Sequence, residues 1–487
     1  MKMKRILALL LTLAMVFSLA ACGLLGGKGG LSDAVAGKGE QDDIGDIGDR
    51  DDQKEPEDKK PSGGKSSVVS VVHPDFGLKD GFIEKVDQLK DAPDGFIPIS
   101  TPEEFCKIDR NPAASYILMN DIDLSGVEYE SISEFTGVLN GNGYTVSNAP
   151  TVLFLSIDGG HVENLGVYSH LEESMAGFVI NLRGRGRLYN CWFDGSITNT
   201  TLLIAGGIGK FTRESSIVSC YNNADITLVL PDELESAGIF NSEAFCGGLF
   251  SEIYQNVVVC NSFNSGDVRI ETDCDIPMYV GGIAGKVSIY DSDGATVRLE
   301  KCFNSGLVDG ALAAGIVGDA EIMEMYVTLQ ILECFNVGSF GPYCDESAGI
   351  TNVTKLDDGS VVIYDCYNAN DGVTYGIVGG KMHENSNGWP SEDMMNVAIW
   401  NCFNYGPAQA GITEKCINLE TCYYLDDAEE ASADGALFAT VKKLSAGEMG
   451  KKGSFEGFDF DTIWQMGDDY PVFAQKTYDE ENTYLFY

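Results

Sequence analysis

Eight times between Cys191 and Tyr424 the chain writes one short phrase: a Cys, an aromatic, most often an Asn, then a small residue near a Gly. The copies are Cys191-Trp192-Phe193-Asp194-Gly195, Cys220-Tyr221-Asn222, Ser262-Phe263-Asn264-Ser265-Gly266, Cys302-Phe303-Asn304-Ser305-Gly306, Cys334-Phe335-Asn336-Val337-Gly338, Cys366-Tyr367-Asn368, Cys402-Phe403-Asn404-Tyr405-Gly406 and Cys422-Tyr423-Tyr424. They recur at intervals of twenty to forty-two residues. Repeats of this kind bury an apolar face only by stacking on one another, which makes a solenoid. A second phrase, Gly-rich and aliphatic, runs between the copies, as in Gly247-Gly248-Leu249, Gly281-Gly282-Ile283-Ala284-Gly285, Gly315-Ile316-Val317-Gly318 and Gly376-Ile377-Val378-Gly379. Both phrases are short, rich in β-formers and closed by Gly, Asn or Asp, so each reads as a strand ending in a turn.

The pattern predicts an all-β chain, a parallel β-helix (β-solenoid) of about ten irregular rungs with a short N-terminal capping helix and a small C-terminal cap. Equivalent residues then stack about 4.8 Å apart. Cys191, Cys220, Cys302, Cys334, Cys366, Cys402 and Cys422 form a ladder of small hydrophobes inside the coil, and the rings after them form an aromatic ladder. Asn222, Asn264, Asn304, Asn336, Asn368 and Asn404 form a third ladder, expected to take left-handed corners while their amides bond to the copies above and below. Gly is expected at the next corner for its access to positive φ. Ala224 and Asn370 stand where that Gly should be. Asn370 suits a left-handed corner, and Ala224 marks a reshaped turn. Stacked Cβ atoms near 4.8 Å are too far apart for the roughly 3.5–4.5 Å a disulfide prefers, so the ladder thiols should be free.

Gly282-Ile283-Ala284-Gly285, Gly315-Ile316-Val317-Gly318 and Gly376-Ile377-Val378-Gly379 resemble the core of the GLUG repeats found in bacterial surface proteins. The resemblance extends upstream to Tyr116–Leu124 and Phe135–Val146, and downstream to Phe458-Asp459-Phe460-Asp461, Trp464 and Tyr470-Pro471-Val472-Phe473. Gly411-Ile412-Thr413 departs from the pattern by lacking the final Gly. The resemblance implies a β-helix at the cell surface and no particular reaction.

The first residues read as an export signal over 1–21, with basic Lys2, Lys4 and Arg5 and an apolar run from Ile6 to Phe17. Leu19-Ala20-Ala21-Cys22-Gly23 resembles a bacterial lipobox, which implies lipidation of Cys22 and a lipid-anchored protein on the extracellular face of the membrane. Residues 22–92 are rich in Gly, Asp, Lys and Ser and read as a disordered tether. Within it, Val68 to Val72 suits a strand, and Phe82, Ile83, Val86 and Leu89 have helical spacing. The N-terminal cap and first rungs take 93–150, the repeats 151–425, and the C-terminal cap and tail 426–487. Thr101-Pro102-Glu103-Glu104 is a capping box opening a short helix to about Ile108. At the far end, Leu444 to Met449 suits a helix and Trp464 an apolar plug.

The net charge is −42, and only −7 of it falls on residues 23–96, so the repeat domain is the acidic part. That charge repels nucleic acid and anionic lipid head groups. No cofactor is called for; Ca²⁺ at corner carboxylates such as Asp121, Asp123, Asp357 and Asp358 is the one metal reading, without EF-hand spacing behind it. His161 and His170 suit surface or structural roles, and Arg183, Arg185 and Arg187 balance charge in an acidic shell. No catalytic motif is present: Asp426-Asp427 and Asp468-Asp469 are merely visible carboxylate pairs. The sequence therefore points to a non-enzymatic adhesion, binding or display module for glycans or a surface protein. A carbohydrate-active enzyme and a structural envelope spacer are the alternatives. The insertions Pro231 to Phe245 and Met382 to Trp389 are the contact loops their length suggests.

Overall fold

The computed structural model describes residues 84–230, 243–272, 276–290, 294–324, 326–356, 359–370, 372–380, 396–413, 418–426, 428 and 441–474. Cys22, the export signal, the strand expected at Val68 to Val72 and the insertion Met382 to Trp389 lie outside them. So does most of the insertion Pro231 to Phe245.

The chain winds into a parallel β-solenoid with four faces, visited in the same order on each turn. In one turn, Thr296–Glu300 lies on the first face, Phe303–Asn304 and Val308–Asp309 on the second, Leu312–Ala314 on the third and Val317–Ile322 on the fourth. Thr328–Leu332 then pairs in parallel with Thr296–Glu300 and the next turn begins. Among the described residues the first face holds twelve strands, two more than the ten rungs expected, with Ile97–Ile99 and Ser115–Leu118 at its start. Twelve strands at about 4.8 Å span roughly 50 Å. Among the same residues the second, third and fourth faces hold 15, 7 and 8 strands.

The repeated phrases follow from this winding. Cys191, Cys220, Cys302, Cys334, Cys366, Cys402 and Cys422 point inward and are fully buried among Ile, Val and Leu of the other faces. Ser262 fills the missing rung, its hydroxyl accepting from the Cys220 backbone N–H at 3.1 Å. The next residue in each copy points outward, and from Tyr221 through Phe403 the rings stack 4.8–5.0 Å apart and within 9° of parallel. Trp192 extends the stack at 5.8 Å, and it can lie there because Gly166 on the preceding rung has no Cβ to meet the indole. The following Asn points inward again. Each Asn Nδ2 donates to the Oδ1 of the next: Asn222 to Asn264 at 2.8 Å, Asn264 to Asn304 at 2.8 Å, Asn304 to Asn336 at 2.9 Å, Asn336 to Asn368 at 3.0 Å and Asn368 to Asn404 at 2.8 Å.

The corner chemistry differs from expectation. Neither the ladder Asn nor the Gly after it has positive φ in these copies, apart from Gly195. The left-handed residue is the one just before each Cys: Asn190, Ser219, Asn261, Lys301, Glu333, Asp365, Asn401 and Thr421, with φ between 49° and 57°. Gly is needed for closeness instead. A Cβ on Gly306 would overlap the carbonyl of Gly266 on the rung before, and one on Gly266 would overlap that of Ala224. Ala224 keeps the ordinary turn, with Asn222 Nδ2 donating to its carbonyl at 2.8 Å as Asn264 donates to Gly266. Asn370 is not left-handed either; its side-chain Oδ1 takes the place of the backbone acceptor for Asn368 Nδ2, at 3.3 Å.

Both ends are covered. Thr101 Oγ1 accepts from Glu104 N while the Glu104 carboxylate accepts from Thr101 N, opening a helix that is only Pro102–Phe105; a separate 3₁₀ turn follows at Ile108–Arg110. Phe105 and Ile108 plug the first rung. After Val441–Leu444 the chain forms a helical turn at Ala446–Met449 and an antiparallel hairpin of Trp464–Met466 with Pro471–Phe473. These do more than close the end: Phe455, Phe458, Trp464, Tyr470 and Phe473 lie against the outer side of the aromatic ladder from Phe335 to Tyr423. The helical spacing around Phe82–Leu89 produces no helix over residues 84–89, which run as coil against the first rungs.

Candidate functional site

The second phrase places a corner between the third and fourth faces that is dented toward the axis. A Cβ on Gly248, Gly282, Gly315, Gly349 or Gly376 would overlap both the next Gly carbonyl along the coil and the side chain of a ladder Asn inside it. Asn264, Asn304, Asn336, Asn368 and Asn404 thus pack directly against the corner backbone. The outside of the same dent is a groove filled by its own side chains, with Phe245, Tyr279, Glu252 and Lys286 all buried. Phe245 and Tyr279 point away from the core on the third face, Glu252 and Lys286 do so on the fourth, and across the corner the Lys286 ammonium lies 5.0 Å and 5.3 Å from the two rings. At the floor, Gly318 passes so close to the Val280 backbone that a Cβ would stand 2.8 Å from it.

Register brings charged side chains together along this groove. Glu252, Lys286 and Asp319 are consecutive partners on the fourth face, and Ser288 and Glu321 pair one step further along it. All are outward-facing yet almost fully buried, Asp319 at 0% and Lys286 at 4% exposure. Lys286 Nζ donates to Glu321 at 2.7 Å and to Glu243 at 2.8 Å. Glu321 also receives Lys355 Nζ at 2.5 Å and the Tyr290 hydroxyl at 2.9 Å. Glu252 receives the hydroxyls of Ser288 and Tyr254, each at 2.9 Å. Asp319 accepts from the backbone N–H and hydroxyl of Thr354 at 3.1 Å and 2.9 Å. Tyr290 and the Lys355 side chain reach solvent at the groove's open side, with Tyr290 48% exposed.

Burial and partners push these groups apart. Burial raises Asp319 to about 7, with Thr354 and Lys286 opposing only part of it. Burial acts on Glu321 in the same direction, but bonds from Lys286, Lys355 and Tyr290 outweigh it and hold the carboxylate at about 2. Burial disfavours the Lys286 ammonium, yet its two carboxylate partners more than reverse that and raise its pKa. Burial also raises Glu252, against its hydroxyl donors and Lys286. At neutral pH a carboxyl poised midway in its titration, Asp319, and an ionised carboxylate, Glu321, therefore sit two residues apart on one strand. The arrangement offers hydroxyl, ammonium and carboxylate partners beside aromatic rings, which suits a polyhydroxylated ligand. Each oxygen of Glu321 is already engaged, so it is a poor nucleophile as it stands.

Of the groove residues, Glu243 and Phe245 fall at the end of the insertion Pro231 to Phe245 named as a contact loop, whereas Glu252, Lys286, Asp319 and Glu321 were not singled out. The available signal is positional: Lys286 follows Gly285 and Asp319 follows Gly318 directly, so a charged residue succeeds the last Gly of the second phrase on adjacent rungs. The other residues that were singled out lie elsewhere. Arg183 bridges Asp158 at 3.0 Å and Glu134 at 3.2 Å on the fourth face; Arg185 is exposed at a left-handed turn, and Arg187 lies on the first face. His161 meets Glu163 at 3.0 Å, and His170 contacts the Ser196 hydroxyl at 2.9 Å. Asp121 and Asp123 accept turn N–H groups of Thr145 and Ser125 at 2.9 Å, while Asp357 and Asp358 are outside the described residues. Among the described residues no three His, Cys, Asp or Glu side chains converge as metal ligands. Asp426 pairs with Lys443 at 2.7 Å, and Asp468 and Asp469 sit exposed in the hairpin turn; Asp427 is not described. None of the eleven cysteines described forms a disulfide, and nine of them are buried.

No helix among the described residues is long and apolar enough to cross a membrane. No family model and no curated protein matches the chain. Solved structures similar to it include the following two. One is a Bacteroides ovatus protein named as a candidate immunoglobulin A1 protease, 16% identical with a TM-score of 0.36 over 82% of this chain and 97% of that one. The other is named IgA1 protease, 12% identical with a TM-score of 0.34, and the match covers 78% of this chain but 25% of that one. Likeness at this level carries no argument about activity; the parallel β-solenoid rests on the chain's own strand pairing.

Proposed function

We propose that the protein is a lipid-anchored extracellular binding module, held to the membrane through Cys22, that takes a glycan in the groove between the third and fourth faces. The observation that carries this reading is the row Glu252, Lys286, Asp319 and Glu321, buried and mutually bonded on an outer face beside Phe245 and Tyr279, with Tyr290 and Lys355 at the solvent edge. Glu321, itself fixed by Lys286, holds the Tyr290 hydroxyl and the Lys355 ammonium in place at the solvent edge, which lowers the entropic cost of binding through them. Tyr290 supplies an exposed ring of the kind that sugar faces stack on. The domain's negative charge disfavours polyanions, so neutral or amino-bearing sugars fit better than sulfated ones.

The test is retention of the unlipidated chain on a panel of immobilised neutral, amino and sulfated polysaccharides, with new chain ends assayed in parallel. Retention that falls on Tyr290→Ala and Lys355→Ala, with no new chain ends, supports binding. New chain ends that disappear on Asp319→Asn would make the groove an active site.

A further inference from the structure

We infer that Glu84–Leu89 is a latch docked on the flank of the coil, which places Glu84 beside Ser219 rather than at the capped end. The Glu84 carboxylate receives the hydroxyl of Tyr189 and that of Ser219, the latter at 3.3 Å, and the Glu84 carbonyl receives Asn190 Nδ2 at 3.3 Å. Five residues on, Leu89 exchanges two bonds with Asn142, its N–H donating to Oδ1 at 2.7 Å and its carbonyl accepting from Nδ2 at 3.0 Å. Between them Val86 rests on Gly143, where a Cβ would stand 3.2 Å from it.

The receptor for the latch is built by the coil itself. Asn142, Asn164, Asn190, Ser219 and Asn261 all have positive φ and form one corner line, linked by Asn190 Nδ2 to Asn164 Oδ1 at 2.8 Å and Asn261 Nδ2 to Ser219 Oγ at 3.1 Å. The chain meets this line first at Ser219 and last at Asn142, running against the growth of the coil, and then turns at Pro93–Phe96 to begin the first strand at Ile97. Asn142 and Ser219 lie three rungs apart, about 15 Å. Pull applied to the N-terminal side therefore reaches the bonds of Glu84 before those of Leu89, and opens them in sequence rather than together. As a loaded element the latch rests on the lipid-anchor reading; its docking does not.

Trypsin sites at Lys85 and Lys90 report docking directly, and Lys59 and Lys65 give the reference for the segment before it. Limited proteolysis of the unlipidated chain (Cys22→Ser), read by mass spectrometry, should show Lys85 and Lys90 cut at least tenfold more slowly than Lys59 and Lys65. Glu84→Ala, which removes the carboxylate bonds to Tyr189 and Ser219 while leaving every strand pairing in place, should remove most of that difference, and Asn142→Ala should do the same from the receptor side. Equal rates at all four lysines in the unsubstituted chain overturn the inference, as does protection that survives Glu84→Ala and Asn142→Ala together. Because no lipid is involved, failure here leaves the anchor reading standing, and the converse holds.

Discussion

Replacing Asp319 by Asn should stabilise the solenoid at neutral and alkaline pH and flatten its pH dependence. In the folded chain burial holds this carboxyl near pH 7, whereas an unfolded Asp titrates near 3.9. Its folded pKa is raised, so the folded state binds the proton more tightly and stability falls as pH climbs from about 4 to about 7, then levels off. Three pH units correspond to about 4 kcal/mol over the whole window, and the interval from pH 5.5 to 7 to about 2 kcal/mol. Asn keeps the shape and needs no proton: Oδ1 accepts from Thr354 N, and Nδ2 can donate to the Thr354 hydroxyl that now donates to Asp319. Glu321, held at about 2, works in the opposite direction and loses its contribution only below about pH 4, outside the window used. Urea midpoints of both proteins at pH 5.5, 6.2, 7 and 8 are the assay. The native chain should lose stability across the series and the variant should not; parallel slopes would refute the reasoning, and a variant less stable at pH 8 would show that Asp319 is charged and paired.

Other consequences follow from the ladders and the groove. Gly315→Ala forces a Cβ into Gly349 O and Asn336, and should cost several kcal/mol in urea denaturation, whereas Gly447→Ala, with open space around it, should be near neutral. Asn304→Ala removes one of two partners from each of Asn264 Nδ2 and Asn336 Oδ1 in the interior and should cost about 1–3 kcal/mol by the same assay, with Asn304→Asp worse because it buries a charge. Lys286→Met leaves Glu321 and Glu243 without their shared cation and should destabilise by about 3–5 kcal/mol at pH 7, less at pH 4 as the carboxylates protonate. Burial raises the Cys302, Cys334 and Cys366 thiols well above their ordinary range and shuts them off from solvent, whereas Cys106 and Cys344, also raised, are only half-buried, so a thiol reagent mapped by mass spectrometry should label Cys106 and Cys344 slowly in the native protein and the ladder cysteines only in denaturant.

The winding was legible because the sequence repeats its own turn: Cys in, ring out, Asn in, three residues in a row with fixed orientation. That the ladder thiols form no disulfide followed from rung spacing alone. Which residue takes the left-handed corner was not legible, since Lys301, Glu333, Asp365 and Thr421 share no chemistry, and the position is fixed by the turn around them. Gly was assigned to the wrong cause for a related reason. Whether a Gly relieves φ or makes room for a neighbour depends on what lies thirty or forty residues away, and here it is a carbonyl or an Asn on the adjacent rung. The groove was hidden by the same distance. Glu252, Lys286 and Asp319 are ordinary charged residues in sequence, and only the parallel register sets them side by side. The hairpin's role was half visible: Trp464 is the expected plug, but that it lies against Tyr367 and Phe403 depends on the rings of the second face pointing outward.

The most direct test of the account is equilibrium binding of the unlipidated chain to the polysaccharide that retains it best, measured by calorimetry beside Tyr290→Ala and Lys355→Ala, with chain ends counted at the end of each titration. The account predicts saturable binding weakened at least tenfold by either substitution, with the polymer intact. Binding indifferent to both substitutions, or a polymer shortened by the protein, would contradict it.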